Sequence, residues 1–599
     1  MFQILHRDGL SRIGELQVKG WKIKTPAILP VIHPFKPEPW ISEIKRLKVE
    51  GIITNSYTLK RNNFDEEKDI HDFLNFHGLI MTDSGTFQEH MYGPLSATNE
   101  EMIKFQDGIN SDIITIRDIF SEKEHSKEKV HEDAIENFKR GLEAKKLTNG
   151  YIAAPVHGGV FLEERRRSAE MMSSLDLEYF PIGGIVPLME DYRYSLVSEI
   201  IINSKIGLKT SNVVHAFGAG HPMFFPLLFL LGVDVVDSSA YIKYAREDRI
   251  LNQTGTIELE DISEELPPSP YFDRFDVKEL KAMKKEERTK VISLHNLYGT
   301  VKEIGSIREE IRDGNLWNYV EYRSRSHPLL LEAYRRILAY YDYIEKFEPK
   351  SRRSPLFYTG EETLQRPDIR RFIYNVGSHE KGIQVSGKPY SYFAKEPEKY
   401  VSTPFGNVPM YLDETYPVAQ SVFPGEYYEG VRNKEKFDSG KWKDFLEEKV
   451  NYVFNYQFGK DLFSIVDRKK LGIIRSKNTG KIRNITLDGS IILSFRASDG
   501  LFSLNLEGAN IIHRNFIFPR HRVIVDSEVS EFVRDGKNVF TKFVKDADPQ
   551  IRPGDEVLIV DEGDSLLSYG RTILNREEMI QFRHGMAVKN RLRSKETGE

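Results

Sequence analysis

The chain of 599 residues contains no cysteine. It can therefore form no disulfide, no thiolate nucleophile, no iron–sulfur cluster and no cysteine-based zinc site. It also lacks an apolar run near the roughly 20 residues that cross a membrane, and its N-terminus lacks the basic and apolar regions of a signal peptide. We therefore expect a soluble protein of the cytoplasm.

An excess of one charge is also missing. The chain carries 85 basic and 90 acidic residues, for a net charge of -5, so a nucleic-acid partner would have to bind a local basic patch. Hydrophobic residues make up 40% and charged residues 29%. Because a chain of this length exceeds what one core accommodates, we expect several domains.

Short apolar runs rich in β-branched residues recur through the first part of the chain, and each ends in a polar or glycine-rich turn. The eight candidate strands are 27–32, 51–56, 78–84, 112–118, 151–159, 179–185, 212–220 and 233–238. Charged, amphipathic segments of helical length lie between them, which favours a parallel sheet. This pattern predicts an α/β fold of the (β/α)8 barrel type; a doubly wound open sheet is the alternative that periodicity leaves open.

Three aspartates lie at separate strand ends: Asp83, Asp118 and Asp237. A parallel barrel would gather them at one mouth, together with His157 and the glycines 183–184. One aspartate at such a junction often only caps the next helix, whereas three beside glycine turns indicate a ligand site. Two carboxylates in one pocket can act as nucleophile and general acid/base, so the residues alone indicate glycosyl-type chemistry.

An ordered set of motifs includes these residues. It consists of DSGTFQ at 83–88, IGGIVPLME at 182–190, FGAGHPM at 217–223, DSSAY at 237–241, LHNLY at 294–298 and PFG at 404–406. Over most of its length the chain resembles the archaeal tRNA-guanine transglycosylases, which start archaeosine synthesis. The resemblance implies that a D-loop guanine of tRNA, at position 15, is exchanged for the free base 7-cyano-7-deazaguanine.

The resemblance also implies roles for individual residues. Asp237 and Asp83 would be the catalytic pair, one attacking the ribose and holding the tRNA covalently and the other moving protons; the order of the two roles stays open. Asp118 would accept hydrogen bonds from the base. The other implied base-binding positions are Ser84, Phe87, His157, Gly183, Gly184, Ile185 and Met223. His157 stands where the family usually has glutamine.

A second departure concerns the family's structural zinc. Its three cysteine positions fall on Pro267, Ser269 and Phe272, and only the fourth ligand, His295, remains. One imidazole cannot form a closed tetrahedral site, so we predict no zinc and no other cofactor. In its place we expect a small apolar cluster of Tyr271, Phe272 and Phe275.

The character of the chain changes beyond about residue 345. We predict four domains: the catalytic barrel at 1–345, an α/β domain at 346–440, a small α+β tRNA-binding domain at 441–519, and a domain at 520–595 that resembles the PUA domain, a compact RNA-binding β-barrel. Basic residues in the last two domains suit contact with RNA phosphates. The candidates are Lys469, Lys470, Arg475, Lys477, Lys481 and Arg483, then Arg522, Lys537 and Arg571.

Three other functions remain open. The chain could be a paralogous archaeosine synthase, since Lys388-Pro389-Tyr390 resembles part of that motif, but the flanking positions carry other residues. It could be a non-catalytic tRNA-binding protein, although it retains all three aspartates. An unrelated glycoside hydrolase would use the same two carboxylates but would leave the terminal RNA-binding module unexplained. A homodimer is a further option that the sequence leaves open.

Overall fold

The computed structural model describes residues 1–86, 97–122, 124–385, 387–425 and 435–592. The chain forms two compact units. The first consists of residues 1–312 and 319–339, and the second of residues 313–318 and 340–599. Within the described ranges, no helix is both long and apolar enough to cross a membrane.

A three-stranded antiparallel sheet, which the sequence analysis did not predict, begins the first unit. Its strands are β1 (Phe2–Asp8), β2 (Ser11–Val18) and β3 (Trp21–Lys24). Arg12 of β2 donates from Nε and Nη2 to the two carboxylate oxygens of Asp234, each at 2.7 Å. Because both side chains are buried, this bidentate pair fixes the sheet to the strand region near Asp234.

Eight parallel strands form the centre of the first unit. They are β4 (Ala27–Pro30), β5 (Gly51–Asn55), β6 (Leu79–Asp83), β7 (Ile113–Thr115), β8 (Tyr151–Ala153), β9 (Tyr179–Ile182), β10 (Val213–Ala216) and β11 (Val235–Ser238). Their order is β4-β11-β10-β9-β8-β7-β6-β5, and a parallel bridge between Val31 and Ile53 joins the two ends. The barrel prediction is therefore confirmed, each predicted strand contains one observed strand, and the open-sheet alternative is wrong.

Helices surround these strands, as expected for crossover connections. Those of the first unit are Trp40–Arg46, Ser56–Arg61, Ile70–Leu74, Asn99–Gly108, Lys127–Leu147, Leu162–Ser173, Val186–Glu190, Tyr194–Gly207, Phe225–Leu230, Ala240–Arg246, Val277–Ala282, Lys285–Asp313, Leu316–Ser324 and Pro328–Ile337, of which the third- and second-last extend into residues of the second unit. A short hairpin, β12 (Arg249–Asn252) and β13 (Gly255–Glu258), follows the last barrel helix. The barrel strands are almost wholly buried, which explains why they read as continuous apolar runs.

The described residues of the second unit form four sheets. Its strands are β14 (Leu356–Phe357) with β17 (Ser421–Val422), β15 (Tyr400–Thr403) with β16 (Gly406–Pro409), the four-stranded β18 (Leu471–Arg475), β19 (Ile482–Leu487), β20 (Ser490–Phe495) and β21 (Phe502–Leu504), and the six-stranded β22 (Arg522–Val525), β23 (Val539–Phe540), β24 (Val544–Ala547), β25 (Glu556–Val560), β26 (Leu566–Thr572) and β27 (Met586–Asn590). Its helices are Tyr341–Ile344, Glu361–Gln365, Pro367–Val376, Tyr390–Phe393, Gly440–Phe458, Leu506–Asn515, Ser530–Arg534 and Arg576–Gln581. The helix Gly440–Phe458 supplies Val450 and Phe454 to a core that also contains Phe502 and Leu558.

Candidate active site

The barrel brings the three predicted aspartates to one end of the sheet. Asp83 is the last residue of β6, Asp118 follows β7 by three positions, and Asp237 lies in β11. The charges of Asp118 and Asp237 both act on Asp83. Residues far apart in sequence therefore share one electrostatic environment, as the strand-end argument predicted.

Among the three aspartates, Asp83 has a pKa far above its usual value. Burial, and then the negative charges of Asp118 and Asp237, raise the pKa of Asp83 to about 7. The amide of Asn55 donates to Asp83 Oδ2 at 3.3 Å, which only partly offsets this effect. Because its pKa lies near neutral pH, the Asp83 carboxyl can both give and take a proton.

The pKa of Asp118 is shifted in the opposite direction, which favours its ionised form. Burial acts to raise its pKa, but the hydrogen bond from His157 and the charge of that imidazole outweigh burial and lower the pKa of Asp118 below its usual range. His157 Nε2 lies 2.6 Å from Asp118 Oδ2, and the Ser84 hydroxyl donates to Oδ1 at 3.4 Å. An ionised carboxylate only accepts hydrogen bonds, so Asp118 suits the N–H groups of a base.

The His157 ring lies against the turn after β9. A Cβ atom at Gly183 would lie 2.5 Å from His157 Cε1, so this contact requires glycine. The ring is buried, and its Nδ1 has no hydrogen-bond partner among the residues that the structure describes. Gly184 has a φ of +73°, which also favours glycine. The two glycines thus allow the backbone to pass beside the imidazole.

The orientation of Asp237 depends on His215 and Tyr179, which the sequence analysis missed, and on the Gly218 amide of the motif at 217–223. Asp237 Oδ1 accepts hydrogen bonds from His215 Nε2 at 3.0 Å and from the Gly218 amide at 2.7 Å. The Tyr179 hydroxyl lies 2.9 Å from His215 Nδ1, and burial followed by the charge of Asp237 raises the pKa of Tyr179 well above its usual value. Tyr179 therefore donates to Nδ1, which leaves the proton on Nε2 to hold Asp237.

This arrangement leaves the second carboxylate oxygen of Asp237 available. Oδ2 has no hydrogen bond within the described part of the chain, and the residue is 8% exposed. The only sequence signal for His215 was a histidine inside the otherwise apolar strand β10. A fixed carboxylate with one free oxygen has the geometry of a nucleophile.

The remaining predicted base-binding residues lie around the same strand ends. Ile185 is fully buried and precedes the helix Val186–Glu190. Met223 is buried, and its amide donates to His221 Nδ1 at 3.1 Å. Phe87, the predicted stacking residue, lies outside the described residues.

The positions of the family's zinc ligands do not fit a metal. Phe272 stacks on His295 with ring centroids 4.2 Å apart and an interplanar angle of 12°. Burial lowers the pKa of His295 to about 4, so its imidazole is neutral at pH 7. Among the described residues, no group of three or more histidine, aspartate or glutamate side chains could hold a metal ion.

The apolar cluster near this loop differs from the one that the sequence predicted. Phe272 packs with aliphatic residues that include Leu259, Leu280 and Ile292. Tyr271 instead accepts a hydrogen bond from Arg46 Nη2 at 2.5 Å and lies outside this cluster, as does Phe275. The difference arises because Phe272 points inward from the turn, while Tyr271 keeps its hydroxyl at a polar partner.

The predicted basic cluster of the 441–519 region is only partly free. Lys470 pairs with Asp488 at 3.1 Å, Lys481 pairs with Glu414 at 3.1 Å, and Arg475 pairs with Asp438. The cations without a carboxylate partner among the described residues are Lys469, Lys477 and Arg483, all of which are exposed.

The three candidates in the 520–595 region differ in environment. Arg522 is buried; its Nε donates to Asp564 Oδ1 at 2.6 Å, and Nη2 donates to the His513 carbonyl at 2.9 Å. Arg571 is half-buried and donates to the Gly554 carbonyl at 2.9 Å. Lys537 is exposed. Arg522 therefore stabilises the domain from within, and its guanidinium is not on the surface.

Comparison with known proteins gives the family. A family model described as queuine tRNA-ribosyltransferase matches residues 8–329. The chain belongs to this family. Two further models match within the second unit: the patch-forming domain C2 of tRNA-guanine transglycosylase at 448–519, and the PUA domain at 521–592. A ribosyltransferase is a pentosyltransferase, so the family resemblance, the expected enzyme class and the PUA domain are confirmed.

Relatives in this family match along the whole chain. A tRNA-guanine(15) transglycosylase from Methanocaldococcus jannaschii is 39% identical, over 98% of this chain and 99% of its own length. A protein of the same name from Pyrococcus furiosus is also 39% identical, over 98% of this chain and 97% of its own. Both the barrel and the second unit therefore have counterparts in these relatives.

Proposed function

We propose that this protein exchanges guanine 15 of tRNA for 7-cyano-7-deazaguanine through a covalent bond between the tRNA and Asp237. The observation that carries the proposal is the pair of contrasting carboxylates: Asp237, fixed with one free oxygen, and Asp83, whose pKa is raised to about 7. Family membership supports the transglycosylase reaction, and the relatives' printed names supply position 15.

In the first half-reaction Asp237 Oδ2 attacks C1′ of the ribose. The C1′–N9 bond breaks, its electron pair stays on guanine, and Asp83 in its protonated form gives guanine a proton. The product is an ester between C1′ and Asp237, with free guanine and ionised Asp83. We assign the acid/base role to Asp83 because its pKa allows both protonation states near neutral pH.

In the second half-reaction the incoming base replaces Asp237. Asp83 removes the proton from the ring nitrogen that corresponds to N9, this nitrogen attacks C1′, and the bond from C1′ to Asp237 breaks. Protons and electron pairs balance over the two halves. One glycosidic bond is exchanged for another, so the reaction needs no energy source.

Base selection would rest on groups that guanine and the deazapurine share. Asp118 would accept from the ring N–H and the exocyclic amine, because it is kept ionised beside His157. Ser84, Gly183, Gly184, Ile185 and Met223 would complete the pocket, and Phe87 would stack on the base. His157 would donate to the base carbonyl in place of the family's glutamine.

The tRNA must present a base that is normally stacked, so the target nucleotide has to leave the D-arm before it enters the barrel mouth. Exposed cations of the second unit would hold the rest of the tRNA through phosphate contacts. We assign this role to Lys469, Lys477, Arg483 and Lys537, with Arg571 at the edge of the PUA domain.

The test is incorporation of labelled 7-cyano-7-deazaguanine into an unmodified tRNA transcript, with a transcript carrying adenine at position 15 as substrate control. Wild type should label only the first transcript, and Asp237→Asn should label neither. Asp248→Asn is the matched control, because Asp248 pairs with Arg288 at 2.7 Å outside the aspartate group. Label in the adenine transcript, or full activity of Asp237→Asn, would overturn the proposal.

Trapping the intermediate separates the covalent route from direct displacement. Wild type denatured during turnover should retain tRNA on the protein. If excess free base is added before denaturation, the base should release the tRNA, and less RNA should be retained. Active wild type that never retains tRNA would remove Asp237 from the nucleophile role while leaving base exchange in place.

A further inference from the structure

A buried arginine that the mechanism does not use lies behind the base-binding turns. Arg165 belongs to the helix Leu162–Ser173, which follows β8, and it is 1% exposed. Within the described ranges it has no carboxylate partner. Its neighbours Arg166 and Arg167 are exposed on the same helix and form ion pairs with Glu170 and Glu163, respectively.

The Arg165 guanidinium instead donates to three backbone carbonyls. Nε donates to Gly159 at 2.9 Å, and Nη1 donates to Val156 at 3.1 Å and to Gly183 at 2.7 Å. Val156 and Gly159 flank His157 after β8, and Gly183 begins the turn after β9. One side chain therefore joins the two strand ends that carry the base-binding residues.

The bond to Gly183 fixes the direction of the next amide. The Gly183–Gly184 peptide is not among the cis bonds, so it is trans and its C=O and N–H point in opposite directions. Since the carbonyl is directed at Arg165, the Gly184 N–H is directed away from the guanidinium. This N–H has no hydrogen-bond partner within the described part of the chain, whereas the Gly183 N–H is used by the Val156 carbonyl at 3.1 Å.

The surroundings of Gly184 give this free N–H a ligand-facing position. Gly183 is buried, but Gly184 is half-buried. A Cβ at Gly184 would lie 3.3 Å from Arg165 Nη2, 3.6 Å from the Phe120 ring and 3.7 Å from His157 Nδ1, a buried nitrogen without a hydrogen-bond partner in the described part of the chain. Buried amide and imidazole nitrogens normally find partners. An acceptor placed beside this turn would meet the Gly184 N–H, and it would also meet Nδ1 when the His157 ring carries both protons.

We infer that Arg165 is a positioning residue for base selection: by holding the Gly183 carbonyl it directs the Gly184 N–H at the carbonyl oxygen on the six-membered ring of the base. The inference rests on the proposed function, because it assumes that a guanine-type base occupies the pocket. Arg165 acts in this role through its bond to the Gly183 carbonyl.

Arginine suits this role better than a neutral residue. Its planar fork reaches three carbonyls at once, and a lysine could reach fewer. Burial lowers the pKa of Arg165 to about 9, so the guanidinium remains protonated at neutral pH and all its N–H donors are present.

The test compares guanine with 2-aminopurine, which lacks the ring carbonyl oxygen and the adjacent ring N–H, by direct binding to the full chain without tRNA. The N–H contact to Asp118 is common to all variants, so a change in preference between variants reports the carbonyl contact. Wild type should prefer guanine, and Arg165→Met should lose about 10-fold of this preference, the usual effect of one hydrogen bond, with 2-aminopurine binding nearly unchanged. Arg165→Lys should recover part of the preference. Arg167→Met, on the same helix but exposed, should match wild type.

Other results of this binding experiment would contradict the role assigned to Arg165 or the proposed function. Arg165→Met that keeps the full preference would overturn the inference, and so would wild type that binds both bases equally. If Arg165→Met fails to fold, Arg165→Lys decides, since it keeps the charge but not the fork: an unchanged preference there overturns the inference. Wild type that prefers guanine yet exchanges no base would overturn the proposed function and leave the inference standing.

Discussion

Replacing Asp83 with asparagine should make the barrel more stable at alkaline pH while abolishing base exchange. An aspartate ordinarily titrates near 3.8, but burial and the neighbouring aspartates raise the pKa of Asp83 to about 7 in the folded protein. Between these two values the folded state holds a proton that the unfolded state has lost, so rising pH lowers stability over this range. Above pH 7 the cost is complete and corresponds to about 4 kcal/mol.

Asparagine removes this cost because it cannot ionise, yet it keeps a similar shape. We therefore expect Asp83→Asn and wild type to have similar unfolding free energies near pH 4. The difference should grow up to pH 7 and then remain at about 4 kcal/mol in favour of the variant. Wild-type exchange should also fall above pH 7, as Asp83 loses the proton that it gives to the leaving guanine.

Hydrogen exchange of the peptides that contain β6, measured in urea at pH 5 and pH 8, would follow the barrel separately from the second unit. Asp234→Asn is the matched control, because it also removes a buried carboxylate but takes the opposite charge away from the buried Arg12 guanidinium. That variant should be less stable than wild type at both pH values, by about 3 kcal/mol. An Asp83→Asn barrel that gains no stability at pH 8 would refute the assigned burial cost.

Further predictions concern His215, the loop near Phe272 and the cations of the PUA domain. His215→Phe should lower kcat by about 10- to 100-fold with little change in KM, since Asp237 loses one of two orienting bonds; an unchanged kcat would contradict this. Exchange should persist in chelator, whereas Phe272→Ala should cost about 3 kcal/mol in thermal unfolding. Lys537→Ala should weaken tRNA binding and reduce its salt dependence without changing stability. Arg522→Ala should instead destabilise the PUA domain by about 2 kcal/mol; the reverse pattern would count against both assignments.

The barrel and its carboxylates could be predicted because each depended on local sequence. A run such as β6 is apolar along its whole length and ends at Asp83, and parallel topology alone brings such ends together. The state of each carboxylate could not be predicted in this way. It depends on pairs such as His157 with Asp118 and His215 with Asp237, which adjacent strands create by register.

Exposure was the other property that the sequence did not determine. Arg522 and Lys537 were both predicted to contact RNA, but Arg522 is buried with its guanidinium bonded to Asp564, whereas Lys537 is exposed to solvent. Arg165 lay in a run of three arginines, of which only the first turns inward. To distinguish Arg165 from Arg166 and Arg167, one would have to know which face of the helix packs against the sheet, and this requires both helical periodicity and the position of the following strand.

The stack of Phe272 on His295 changes what this loop requires from the cell. A loop closed by thiolates and zinc folds only when the metal is supplied, and it is damaged when an oxidant reaches its sulfur atoms. The stacked rings of Phe272 and His295 contain neither a metal nor a thiol. We therefore expect the folding of this segment to be independent of zinc supply and of thiol oxidation, and to depend mainly on temperature, since apolar contacts weaken in the cold.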